Sequence, residues 1–362
     1  METMTTYYNE VHPNFKINGI SCNAEELKEI GYCLIKEGEA FEIPFGDFLL
    51  DWLSDKPTIP VKTSGSTGEP KTIHLKKEHM VNSSLATANF FGLEAGDTVL
   101  HCLPASYIAG KMMLVRAIVL GLRLDYVAPA SFPLSGVNKT FKFGAMVPMQ
   151  LENSLNQIDQ INTVIVGGAP ISEKLKDKIQ LLDNEIFETY GMTETVSHIA
   201  IKKISQNQNN TEQNFVVLPD IAIHTDKRGC LVIDAPMLAK ETIVTNDLVD
   251  IRNEKEFKWL GRYDNIINSG GIKLIPEKIE AKLALFITSR FFVAAMPDEM
   301  LGEKLVLFVE GSGIDQSLLE DLKSKGTLEN FEIPKELVTV EKFAETGNGK
   351  LDRKRTIKLF SL

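Results

Sequence analysis

Apolar residues recur every three to four positions over 24–37, and Asn23 stands directly before that run, so the pattern predicts an N-capped helix there. The same spacing predicts helices over 45–53, 76–91, 111–120 and 276–286. Short β-prone runs predict strands at 15–22, 58–62, 98–103, 163–166 and 185–188. From Lys76 to about Ile201 helices and short apolar strands alternate, which is the pattern of α/β layers. Residues 205–214 are polar and predict a solvated loop, and 215–261 predict a β-rich portion with strands at 221–224, 230–233 and 257–260. After Gly261 a helix precedes two strand-like runs, 290–295 and 304–310, joined by a turn over 297–302. The expectation is an α/β protein with a large N-terminal domain, 1–261, and a small α+β domain, 262–362.

Composition narrows the function. The 362 residues are 43% hydrophobic and 24% charged, ordinary for a folded chain, with a net charge of −10. That balance argues against a nucleic-acid partner, because phosphate backbones are held by clustered Lys and Arg. The four cysteines, Cys22, Cys33, Cys102 and Cys230, show no C-x-x-C spacing and point to neither zinc nor a disulfide framework. The most apolar stretch, 112–124, is broken by Arg116 and Arg123 and is too short to enter a membrane. No leader pattern is evident at the N-terminus, so a cytoplasmic protein is expected.

The chemistry begins at Thr63-Ser64-Gly65-Ser66-Thr67-Gly68-Glu69-Pro70-Lys71, read here as lying between a strand and a helix. Small residues let backbone N–H groups approach an anion, and the hydroxyls and Lys71 add donors. A Walker A loop would need glycine where Pro70 stands, so a P-loop NTPase is disfavoured. Taken alone, the stretch fits a phosphate contact and a flexible surface turn about equally.

That stretch resembles the signature of the adenylate-forming superfamily of acyl-CoA synthetases, luciferases and adenylation domains. Four further segments resemble its motifs in the same order: Gly167-Gly168-Ala169-Pro170; Tyr190-Gly191-Met192-Thr193-Glu194-Thr195; Asp247 with Gly261-Arg262-Tyr263-Asp264 and Ser269-Gly270-Gly271; and Gly347-Asn348-Gly349-Lys350-Leu351-Asp352-Arg353. The resemblance implies attack of a substrate carboxylate on the α-phosphorus of ATP, where catalysis is largely charge neutralisation and alignment. It places the β- and γ-phosphates on Thr63, Ser64, Gly65, Ser66, Thr67, Gly68 and Lys71. Glu194 would hold Mg²⁺, Thr193 would donate to the α-phosphate, and Lys350 would stabilise the transition state. Gly168, Ala169, Pro170, Tyr190 and Gly191 would form the adenine slot, with Asp247 and Arg262 at the ribose. Asp264 matches a hinge about which the C-terminal domain swivels, withdrawing Lys350 and bringing Gly270-Gly271 to coenzyme A.

The segment ahead of the glycine-rich loop is shorter than in most relatives. With Tyr190 to His198 and Tyr107-Ile108-Ala109-Gly110-Lys111, the chain looks like the short bacterial o-succinylbenzoate–CoA ligases of menaquinone synthesis. Many relatives carry His where Tyr107 stands, so a histidine role there does not carry over. Tyr107 and Met192 are expected at the acyl or CoA site. A diacid needs donors for the carboxylate that is not activated, and one or two of Lys111, Arg116, Ser197 and His198 are expected to read it. The competing reading is that Arg116 snorkels or pairs with an acidic residue. The partner is then a small carboxylic acid, and assembly into a homo-oligomer stays open. Other aryl- or fatty-acyl-CoA ligases share this chemistry. An amino-acid-loading module is less suited, because Phe132-Pro133-Leu134-Ser135 lacks the F-D-x-S aspartate. A non-catalytic nucleotide sensor is disfavoured by the joint presence of Lys71, Glu194, Asp247 and Lys350.

Overall fold

The computed structural model describes residues 10–62, 71–205, 214–311, 317–345 and 351–360. Thr63, Ser64, Gly65, Ser66, Thr67 and Gly68, residues 206–213 of the polar stretch, and Lys350 lie outside the described residues.

Helix Ala24–Glu37 begins as its sequence predicts. Asn23 accepts from the Glu25 and Glu26 amides, and the Glu26 carboxylate accepts from the Asn23 amide, a complete capping box. Over 15–22 the expected single strand is instead two short strands, Lys16–Ile17 and Ile20–Ser21, paired antiparallel. Asn18 and Gly19 both take positive φ, 47° and 83°, which is the demand of a two-residue primed hairpin turn. A second difference follows Thr58–Lys62. The chain does not pass from the glycine-rich stretch into a helix but returns as strand Thr72–Lys76, with Lys62 opposite Thr72. The alternating, β-rich Thr72-Ile73-His74-Leu75-Lys76 explains the return. Helix Lys77–Phe91 follows only then, and Lys77 Nζ donates to the Ser54 carbonyl at 2.6 Å beneath that hairpin.

Among the described residues, one sheet of thirteen strands forms the larger part of the fold. Its first half is parallel: Glu185–Gly191, Ile161–Val166, Phe141–Met146, Thr98–His101 and Arg123–Tyr126 lie side by side. Alternate residues feed opposite layers. Val99, Phe143, Ile165 and Phe187 pack under the helices Ala24–Glu37, Ile43–Trp52, Lys77–Phe91 and Ile108–Leu120, while Leu100, Val164, Val166 and Ile186 pack against Leu151, Leu175 and Ile179. From Glu185–Gly191 onward the sheet turns antiparallel, through His198–Lys203, Phe215–Val217, Glu256–Arg262, Ile243–Asn253, Cys230–Asp234 and Ala222–Thr225. The eleven-residue strand Ile243–Asn253 was not legible in the sequence, because two register shifts interrupt its alternation.

A second sheet holds Ile267–Ser269, Ile272–Leu274, Phe291–Asp298, Gly302–Glu310 and Glu336–Val340, with helix Pro276–Leu283 against it. Its apolar residues form clusters separate from those of the large sheet. The short turn Tyr263–Asn265 joins the two sheets. Among the described residues no helix is long and apolar enough to cross a membrane.

Candidate active site

In the parallel half, the chain moves from Thr98–His101 to one side and then back to Phe141–Met146 on the other, so the strand order reverses between these two neighbours. Loops leaving opposite faces at such a point open a crevice beyond the strand ends. Gln150, 4% exposed, ties three of these loops: its Nε2 donates to the Cys102 and Ala130 carbonyls at 2.9 and 3.0 Å, and its Oε1 accepts from the Val147 amide at 3.2 Å. No motif or period pointed to Gln150.

The same edge collects most of the expected residues. Gly167, Gly168, Ala169 and Pro170 follow strand Ile161–Val166, and Gly168 has φ 86°. A Cβ at Gly167 would meet Thr189 Oγ1 at 2.5 Å, so glycine lets the two neighbouring strand ends lie this close. Tyr190 and Gly191 end the neighbouring strand. At Gly191 a Cβ would lie 2.3 Å from the Ser197 carbonyl, so glycine is what lets strand His198–Lys203 fold back so closely. Met192, half-buried, leads into the single turn Thr193–Thr195, where Glu194 points its carboxylate to the exposed side.

Immediately after, Val196 has φ 67° and ψ −49°, and the Ser197 amide donates to the Thr195 carbonyl at 2.7 Å. This is a γ-turn of the rare, strained hand, and a buried β-branched residue occupies it. The strain aims Ser197 and His198 inward. Ser197 Oγ lies 2.6 Å from Arg116 Nη2, and His198 Nδ1 lies 3.3 Å from Ser197 Oγ.

Arg116 is 2% exposed, at the centre of helix Ile108–Leu120. Its other partners are Thr87 Oγ1 at 3.2 Å and Met113 Sδ at 3.6 Å. Every partner among the described residues is neutral. Burial draws its pKa down to about 10, so it stays charged at neutral pH. Burial, and then Arg116, press His198 down to about 3, so that imidazole stays neutral; its Nε2 is buried without a hydrogen-bond partner among the described residues. Lys111 does not join this group. Its Nζ lies 4.8 Å from the Phe48 ring, and its pKa is lowered by burial against the opposing charges of Asp51 and Asp47. Five residues along a helix turn Lys111 and Arg116 some 140° apart, which is the reason. Tyr107 caps that helix from a half-buried position, and Gly110 packs so closely on Pro104 that a Cβ would lie 2.2 Å from its carbonyl oxygen.

Asp247, 8% exposed, lies on strand Ile243–Asn253. Tyr190 Oη donates to its Oδ2 at 2.7 Å, joining the antiparallel half of the sheet to the crevice. Arg262 faces Asp247 across the strand pair, with Nη1 3.7 Å from Oδ1, and grips Asp264 through Nε and Nη2 at 3.0 Å each. Arg262 thus connects Asp247 to the turn between the sheets. Gly270 and Gly271, with φ 58° and 83°, form the tip between Ile267–Ser269 and Ile272–Leu274. Lys71 is exposed at the base of the hairpin that carries the glycine-rich stretch.

A family model for AMP-binding enzymes matches residues 55–232. The crystal structure of an acyl-CoA synthetase (AMP-forming)/AMP-acid ligase II-like protein from Dyadobacter fermentans is 36% identical, the match covering 92% of this chain and 98% of that one with a TM-score of 0.59. The chain belongs to the AMP-binding enzyme family. The 2-succinylbenzoate–CoA ligase of Listeria monocytogenes is 24% identical over 93% of this chain and 75% of its own. The o-succinylbenzoate coenzyme A synthetase of Bacillus subtilis, solved with ATP and magnesium ion, shares the fold at a TM-score of 0.74, with 19% identity over 91% of this chain and 82% of that one. In this AMP-binding enzyme the structure thus joins two groups of polar residues: Arg116 with Ser197 and His198, which follow the turn of Glu194, and Tyr190 with Asp247 and Arg262.

Proposed function

We propose that this AMP-forming acid:CoA ligase activates o-succinylbenzoate, an aromatic diacid, first as its acyl-AMP and then as its CoA thioester. The observation that carries this reading is Arg116. A buried guanidinium with only neutral partners among the described residues is costly unless an anion completes it. A monocarboxylic acid spends its one carboxylate on the α-phosphorus. A diacid has a second to set against Arg116, with Ser197 as a neighbouring donor. The likeness to 2-succinylbenzoate–CoA ligases supports the same choice.

In the first step a carboxylate oxygen bonds to the α-phosphorus and pyrophosphate leaves. Thr193 donates to the α-phosphate, and Lys71 and the 63–70 stretch hold the phosphates beyond it. The described residues contain no group of three His, Cys, Asp or Glu side chains that could cage a metal. One exposed carboxylate, Glu194, suits a magnesium ion that takes its remaining ligands from phosphate oxygens and water. Bound there, magnesium supplies neutralisation of phosphate charge. Asp247 and Arg262 bind the ribose, and Tyr190 with Gly168, Ala169 and Pro170 bounds the adenine. Lys350 acts in this step. Rotation at Asp264 then withdraws it and brings Gly270-Gly271 to the CoA thiol, which bonds to the acyl carbon as AMP leaves. The corresponding setting is menaquinone synthesis in the cytoplasm.

Mass analysis of a reaction with ATP, Mg²⁺, CoA and o-succinylbenzoate tests this. The expected products are o-succinylbenzoyl-CoA, AMP and pyrophosphate. Thioesters formed only from fatty or monocarboxylic aryl acids would overturn the diacid reading.

A further inference from the structure

Asp247 reaches its surroundings through more than the motif residues. While Tyr190 donates to Oδ2, the indole Nε1–H of Trp259 donates to Oδ1 at 3.1 Å. Trp259 is half-buried on strand Glu256–Arg262, paired with Val249 and three residues before Arg262. The backbone is held as well: the Asp247 amide donates to Thr245 Oγ1 at 3.0 Å, and that hydroxyl donates to the Leu231 carbonyl at 2.8 Å. The carboxylate therefore has both a fixed root and a fixed plane.

The kind of donor matters. An indole N–H can only donate, so it cannot turn round and compete for the hydroxyls of a ligand. Burial, and then Asp247 itself, raise the Tyr190 pKa far above neutrality, so its hydroxyl keeps its proton. Two neutral donors orient the carboxylate without cancelling its charge, and each oxygen keeps a further lone pair for a ligand.

We propose that Trp259 is a positioning residue for the nucleotide: with Tyr190 it sets the plane of the Asp247 carboxylate so that its two oxygens meet the 2′- and 3′-hydroxyls of the ribose together. This rests on the reading of Asp247 as the ribose carboxylate. Without the indole donor one side of the carboxylate is free to rotate, and recognition of the paired hydroxyls weakens while the chemistry at the α-phosphorus does not. Trp259 also gives the site an optical signal. The chain has two tryptophans, and the other, Trp52, is fully buried under the helices of the large sheet.

The test compares ATP with 2′-deoxy-ATP and 3′-deoxy-ATP in wild type, Trp259→Phe and Tyr190→Phe, with thermal denaturation confirming that each variant is folded. In Trp259→Phe the KM for ATP is expected to rise about tenfold with kcat little changed. KM for the deoxynucleotides should move little, so the preference for ATP falls by the same factor. Tyr190→Phe should move the preference in the same direction. ATP should change tryptophan emission in wild type and in Trp52→Phe, and leave it flat in Trp259→Phe. An unchanged preference for ATP in folded Trp259→Phe overturns the proposal. Asp247→Asn separates the underlying reading: if it leaves ATP binding and the deoxynucleotide discrimination intact, Asp247 is not the ribose carboxylate. If it abolishes both while Trp259→Phe is silent, only the role of Trp259 falls.

Discussion

Two buried charges, Asp247 and Arg116, stand in differing surroundings. Asp247 is well supplied with donors: a phenol, an indole and a guanidinium address its two oxygens, each of which keeps a lone pair for a ligand. Arg116 has a hydroxyl on either side, a thioether, and no carboxylate among the described residues. The first arrangement suits a ligand that brings neutral hydroxyls, which need an oriented acceptor rather than a counter-charge. The second suits a ligand that brings its own negative charge, because only that offsets the cost of burying the cation. On the proposed reading, the Asp247 carboxylate on the nucleotide side is already oriented, while Arg116 on the acid side awaits its counter-charge. Selectivity for the acid is therefore expected to depend on charge, and selectivity for the nucleotide on geometry.

The strongest way to break this contrast is Arg116→Met, which keeps bulk and removes charge. KM for o-succinylbenzoate is expected to rise about 100-fold, roughly the worth of one charge-assisted hydrogen-bonded contact, with little effect on a monocarboxylic aryl acid. The ligand-free variant should be more stable than wild type by about 1–3 kcal/mol in chemical denaturation, since an uncompensated buried charge is gone. Loss of stability with an unchanged KM would make Arg116 a structural strut.

A smaller effect sharpens the same point through pH. His198 lies at about 3 in the folded protein against an ordinary 6.5, by burial and then by Arg116. Below pH 6.5 the unfolded chain takes up a proton that the folded chain refuses, so stability falls as pH falls. The slope contributed by His198 is about 1.4 kcal/mol per pH unit. His101, lowered to about 4 by burial, adds a second slope over a narrower window. His198→Gln should remove the first slope and leave the second, read from denaturant midpoints between pH 4 and 7. In Arg116→Met the slope of His198 should end at a higher pH, because one cause of its low pKa is gone. A wild-type slope in His198→Gln would show that His198 is not held neutral.

The smallest expected change lies away from both charges. Asn23→Ala removes a helix cap and should cost about 1 kcal/mol of stability, with KM for ATP and for the acid unchanged. A shift in either KM would mean that the crevice senses the outer helix layer, and the local contrast would be lost.

Much of the scaffold was legible along the chain because its causes are local. A cap at Asn23, the short β-prone runs of three of the parallel strands and the glycines at 167, 191, 270 and 271 each act over a few residues, whereas the parallel strands Arg123–Tyr126 and Phe141–Met146 were passed over. The Asn18-Gly19 turn was equally local and was passed over. The strand over 243–253 was not legible, because its bulges break the period by which strands are found. Motif order singled out Tyr190, Asp247 and Arg262, which a hydrogen bond and an ion pair bring together. It grouped Lys111 with Arg116, which the turn of the helix sends to different faces, and it passed over Gln150, Thr87 and Trp259.

What the sequence by itself determined was which segments become helix or strand and which chemistry-bearing residues stand in family order. Both follow from short-range sterics and side-chain type. Which buried charge is satisfied and which is left for a ligand was decided only by the tertiary structure. Tyr190 and Asp247 are 57 positions apart, and Arg116 and Ser197 are 81 apart. No local pattern records a hydrogen bond made across the sheet.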